Sequence, residues 1–98
     1  MTVEQYSIES IFHEMGYKSS TDYAIKKMQE ELLRELKVHN TRIELFEEKY
    51  GMTYVEFERQ FNQVTQFNQF ERENDIMDWR VEMIELRGIE KRLAQLVK

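Results

Sequence analysis

The sequence predicts an all-α fold: an antiparallel hairpin of long helices with a short N-terminal helix and a broken C-terminal arm, assembling as a dimeric helical bundle. Three observations carry this. Proline is absent and only three glycines occur in 98 residues, whereas an all-β chain needs turn residues every few positions. A heptad-like apolar stripe runs through residues 25–50. A helix stop and a helix start then stand back to back at residues 50–57. The length fits one domain over residues 1–98.

The first helix is expected over residues 3–15. Thr2 and Gln5 fit a capping box, in which each side chain satisfies the other's free backbone N–H. Ile8, Ile11, Phe12 and Met15 share one face, and Gly16 follows as a stop.

Ser19, Ser20, Thr21 and Asp22 offer N-caps for a second helix over about residues 22–50. Its seam is Ile25, Gln29, Leu32, Leu36, His39, Ile43, Phe46 and Tyr50, in alternating steps of four and three, with Met28 beside it. Lys26–Glu30, Lys27–Glu31 and Glu30–Arg34 sit four apart and suit a solvated outer face. Such a helix is about 43 Å long at ~1.5 Å per residue, against a radius of gyration near ~13 Å for a compact domain of this size. Part of the seam is therefore expected to lack a partner within the chain and to be completed by a second copy, since two-fold dimers are the commonest closed assembly.

Gly51 follows Tyr50 as a stop, Thr53 and Glu56 form a capping box, and Met52 and Phe57 take the two positions of a hydrophobic staple. So short a connection makes the flanking helices antiparallel. A third helix over about residues 54–66 carries Phe57, Phe61 and Val64, then enters a Gln/Asn/Phe segment in which Gln-Phe-Asn-Gln occurs twice. Its apolar steps of three drift around an α-helix, which predicts a break at 66–74. The last helix is expected over residues 74–97. Acids crowd its start (Glu71, Glu73, Asp75, Asp78) and bases its end (Arg87, Lys91, Arg92, Lys98), as the helix dipole favours. Trp79, Met83, Leu86 and Leu93 form one apolar face; Met77, Val81, Ile84 and Gly88 form a second on the opposite side. A helix apolar on two sides must be covered on both. The second stripe is covered either by the N-terminal helix or by a partner chain.

Composition narrows the function classes. There is no cysteine and the net charge is −5, which excludes a disulfide scaffold and a thiolate metal site. The bases are dispersed and none of the segments 1–21, 22–50 and 51–98 is net basic, so no nucleic-acid partner is expected. The phenylalanines at 60–70 could stack on bases, but without flanking cations they fit core positions better. No apolar run reaches the roughly 18 residues of a membrane span, and Met1-Thr2-Val3-Glu4 lacks the pattern of a signal peptide. No membrane partner and a cytoplasmic location are expected.

The only histidines, His13 and His39, each follow a glutamate by four residues (Glu9–His13 and Glu35–His39). A helical dinuclear carboxylate site needs Glu-x-x-His and further inward glutamates, so neither pair makes a ligand set. His39 on the seam fits a polar residue that sets register. No nucleophile arrangement or phosphate-cradling glycine loop is visible. The expectation is a non-enzymatic protein with no catalytic residue, metal or cofactor.

Phe46-Glu47-Glu48-Lys49-Tyr50-Gly51-Met52-Thr53-Tyr54-Val55-Glu56-Phe57 resembles the interhelical turn of a family of small prokaryotic all-helical antitoxin-like proteins. Asp75-Ile76-Met77-Asp78-Trp79 is similar to the motif that opens the last helix of that family. The resemblance spans about residues 20–96; the Gln/Asn/Phe segment departs from the family's charged linker. It implies a partner that binds and neutralises a small toxin encoded beside it, through apolar helix faces. Ile25, Leu32, Leu36, Ile43, Phe46, Met77, Val81 and Ile84 are the expected partner or dimer interface. The alternative is a dimeric coiled-coil structural or adaptor module.

Overall fold

The computed structural model describes the backbone of residues 3–96 and the side chains of residues 8–96. Four α-helices follow in order: α1 (Val3–Glu14), α2 (Ser20–Tyr50), α3 (Tyr54–Arg59) and α4 (Gln69–Leu96), with a 3-10 turn at Phe61–Gln63. The predicted Thr2–Gln5 capping box lies outside the described residues.

α2 begins at Ser20, two residues before the expected start. Ser19 is the cap, its hydroxyl accepting the Asp22 amide at 3.0 Å, while the Asp22 carboxylate accepts the Lys18 amide at 3.0 Å. Asp22 thus serves as the acidic third residue of a box and not as the cap. No glycine or proline interrupts the next 31 residues. Gly51 ends the helix in the left-handed region (φ +68°), where its N–H reaches the Glu47 carbonyl at 2.7 Å. A side chain there would meet open space, so the demand for glycine comes from the backbone alone.

Thr53 caps α3 as predicted, accepting the Glu56 amide at 3.3 Å. The Glu56 carboxylate does not return to the cap's backbone; it accepts the Thr53 hydroxyl at 3.0 Å. Of the staple pair, Phe57 is completely buried and Met52 is half-buried against the same cluster.

The break exists but falls at residues 60–68, before the predicted 66–74. α3 ends at Arg59 and not at 66, and α4 begins at Gln69 and not at 74. The reason is local. Asn68 caps α4, its amide oxygen accepting the Glu71 N–H at 2.8 Å. Arg72, in the first turn, then fastens the connection: its guanidinium donates to the carbonyls of Phe67 (3.1 Å) and Phe61 and lies 5.0 Å from the Phe61 ring.

α4 returns antiparallel along α2. At the turn end Lys49 bonds Glu71 and Asp75 at 2.6 and 2.7 Å; midway, Glu82 meets His39 and Arg42. Carried seven residues further, this register brings Ile89 level with Leu32, and both are buried. The core sits at the turn end, where Ile43, Tyr50, Phe57, Val64 and Trp79 are buried together. The molecule is a rod of 68 × 19 × 18 Å with a radius of gyration of 21.0 Å, well above the ~13 Å of a globular chain of this length.

Two substitutions test the turn. Thr53→Ala should destabilise by about 1 kcal/mol, through a helix donor left without an acceptor. Gly51→Val should cost more, about 2 kcal/mol, because a β-branched residue fits the left-handed region poorly. Urea denaturation midpoints are the readout; unchanged midpoints for both would place the α2–α3 boundary elsewhere.

Candidate functional site

The titratable groups that could carry chemistry are occupied in holding helices together. Glu9 accepts the Ser20 hydroxyl at 2.5 Å and the Ser20 amide at 3.2 Å, and these bonds hold its carboxyl below the usual range. His13 bonds the Lys18 carbonyl at 2.8 Å. The Glu9–His13 pair is therefore a buckle between α1 and α2. His39 turns from Glu35 toward α4, where its Nδ1 meets the Glu82 carboxylate; Arg42 donates to the other oxygen at 3.1 Å. Burial pushes Glu82 up, but the bonds from His39 and Arg42 outweigh it and the carboxyl lies below its usual range. Tyr50 is raised, first by burial and then by its hydrogen bond to Asp75; Lys49 is raised by its bonds to Asp75 and Glu71. Among the described residues, no group of three or more His, Cys, Asp or Glu side chains could hold a metal ion.

The eight residues expected at an interface divide between two surfaces. Leu32 and Ile43 are buried, Phe46 stacks on Trp79 with centroids 5.4 Å apart, and Ile25 and Leu36 are half-buried. These five lie on the α2 seam, which α4 accompanies for most of its length. The expectation of an uncovered seam does not hold: α4 is 28 residues long, about 42 Å at ~1.5 Å per residue, because it starts at Asn68's cap. Met77 and Ile84 instead point away from α2 and are 62 and 59% exposed, while Val81, 54% exposed, borders a groove between α2 and α4.

The N-terminal helix does not cover that stripe. α1 packs on the beginning of α2, with Phe12 and Tyr17 at 5.0 and 4.9 Å from the Tyr23 ring. That is the open end of the hairpin, whereas the stripe lies toward the turn.

Sequence reasoning missed further exposed apolar residues. Phe70 extends the α4 stripe and is 75% exposed. The signal was present: residues 70, 77 and 84 are seven apart. On α2, Val38 and Leu45 are also seven apart, exposed, and off the seam. Leu45, Phe46 and Val81 line a groove of about 440 Å³ between α2 and α4, rimmed by Arg42, Lys49, Asp78 and Glu82. Its lining is apolar with charges of both signs at the edge, a combination suited to an amphipathic helix.

No family model, curated protein or solved structure matches the chain.

The Glu82 cluster predicts a pH dependence. A carboxyl lowered on folding contributes stability above the usual carboxylate range, and that contribution disappears as pH falls through the folded value. The stability gap between the wild type and Glu82→Gln should therefore be full near neutral pH and close on acidification. Urea titrations from about pH 6 to pH 3 measure it; a gap constant over that span would mean that Glu82 is not bonded as described.

Proposed function

We propose that the protein is a non-enzymatic, antitoxin-like binding partner that receives an amphipathic helix of a small neighbouring-gene protein in the groove between α2 and α4. The observation that carries this is the groove itself: Leu45, Phe46 and Val81 form an apolar lining between charged walls, and exposed apolar grooves of this kind are usually interaction sites. The rim adds Arg42 and Lys49 on one wall and Asp78 and Glu82 on the other, which would fix the direction of a charged helix laid between them.

Other features agree. The histidines and the half-buried Glu82 are engaged in helix contacts, which leaves no arranged set of groups for turnover among the described residues. The net charge of −5 with dispersed bases disfavours a phosphate backbone as partner. Among the described residues no helix is long and apolar enough to cross a membrane, and a cytoplasmic setting suits a partner made beside it. The rod shape favours one second reading, a coiled-coil spacer or adaptor, in which the groove takes a helix of a larger assembly.

Co-expression with the product of the adjacent gene, followed by co-purification, tests the first reading. The two proteins should purify together, and Leu45→Glu with Asp78→Lys should abolish the complex while leaving helicity intact, since both positions line the groove and are exposed. A complex that survives the double substitution would remove the groove as the site, and absence of any complex would remove the neighbour as the partner.

A further inference from the structure

We propose that the outer face of α4 is a self-association surface, on which a second copy of the chain lays its own α4 in the opposite direction. Val81 borders both this face and the groove, so a helix in the groove and a second copy would share that residue.

The first observation is a second seam. Phe70, Met77, Val81, Ile84 and Gly88 follow steps of seven, four, three and four, the spacing of a coiled-coil core. The seam that α4 shows to α2 contains Trp79, Glu82, Met83 and Leu86, about half a turn away. One neighbour covers that first seam. The second has none within the described chain, because α1 sits at the far end of α2 and α3 packs near Trp79.

The second observation is Gly88. Glycine is the poorest helix former after proline, yet Gly88 stands inside α4, on the outer stripe. A Cβ added there would meet only the Arg92 guanidinium at 3.8 Å, an ordinary contact. Nothing within the chain asks for a missing side chain at this position; a helix closing on it from outside does.

The third observation selects the occupant. The charge of α4 is biased along its length: Glu71, Glu73, Asp75 and Asp78 lie in the first part, and Arg87, Lys91 and Arg92 in the last, where Glu85 and Glu90 offset them in part. Glu71 and Asp75 are held by Lys49, and Arg80, midway along the helix, is held by Tyr54 and Glu58. Glu73, Arg87 and Lys91 are exposed and border the stripe on one side. A parallel copy would set like charge against like. An antiparallel copy, related by a two-fold axis near Val81, sets Glu73 between Arg87 and Lys91 of the other chain, twice, and brings Met77 level with Ile84. On this flank the face is complementary to itself in the antiparallel direction, as an isologous dimer requires; the opposite flank carries the exposed Asp78 and Glu85.

Sedimentation equilibrium of the full chain across a dilution series should give twice the chain mass of 12.1 kDa. Ile84→Glu should give the mass of one chain with unchanged circular dichroism. Glu73→Lys should weaken dimerisation by about tenfold, and adding Arg87→Glu and Lys91→Glu should restore it. The chain has no cysteine, so Val81→Cys should form an interchain disulfide under mild oxidation, whereas Phe70→Cys, far from the axis, should not. A wild-type monomer at high concentration, a dimer indifferent to Ile84→Glu, or equal cross-linking through positions 70 and 81 would each overturn the proposal. If the groove also fails to bind the neighbour, the dimer result still stands by itself.

Discussion

Trp79 holds the hairpin at one end, and the placement of every other surface depends on it. Its indole is completely buried. Phe46, Tyr50 and Phe57 stack on it with centroids 5.4, 6.1 and 5.4 Å away, and Tyr54 meets it edge-on at 5.6 Å. One ring from α4 thus touches two from α2 and two from α3. Burying an aromatic of this size removes roughly 150–250 Å² from water, worth about 4–6 kcal/mol at ~25 cal/mol per Å². The indole N–H is buried without an acceptor, a cost of about 1–3 kcal/mol, so packing exceeds it. The stack also explains why α3, only six residues long, persists: a helix that short is marginal alone, and here Phe57 anchors it.

Polar contacts then fix the register in which the two long helices meet. Lys49 and Tyr50 reach Asp75 near the stack, and His39 and Arg42 reach Glu82 about two turns further along. Arg42 and Lys49 are partly solvated, so each pair contributes modest stability. Their value is geometric. A slip of α4 by one turn would leave Glu82 half-buried without its partners, the costly outcome for a charge. With the register held, the same faces always remain outside: the Leu45–Val81 groove on one side and the Phe70–Ile84 stripe behind α4.

Much of this was legible in the sequence where the signal is local. The stop at Gly51 and the cap at Thr53 are read from adjacent residues, and the α2 seam from its spacing; each appears in the structure. The start of α4 was not read correctly, although Asn68 stands three residues before Glu71 in a cap pattern. The helix dipole places Glu71, Glu73, Asp75 and Asp78 around a later start, but Lys49, which holds Glu71 and Asp75, lies on another helix. Arg72's bonds to the Phe61 and Phe67 carbonyls are tertiary and leave no periodic trace. The interface residues show the same limit. Spacing revealed two stripes on α4 and one on α2, but pairing among them depends on how far α4 extends and where α1 docks. Hence Leu32 and Ile43, expected at an interface, are interior, whereas Phe70 and Leu45, not singled out, are exposed.

A Trp79-centred stack locks α2, α3 and α4 and thereby decides which apolar faces stay open. Because Trp79 is the only tryptophan, its fluorescence reports on that arrangement without labelling. In the folded chain the emission should be blue-shifted and shielded from acrylamide, and under urea it should shift to the red together with the loss of helicity. A fully helical chain whose tryptophan emits as in water and is freely quenched would contradict it.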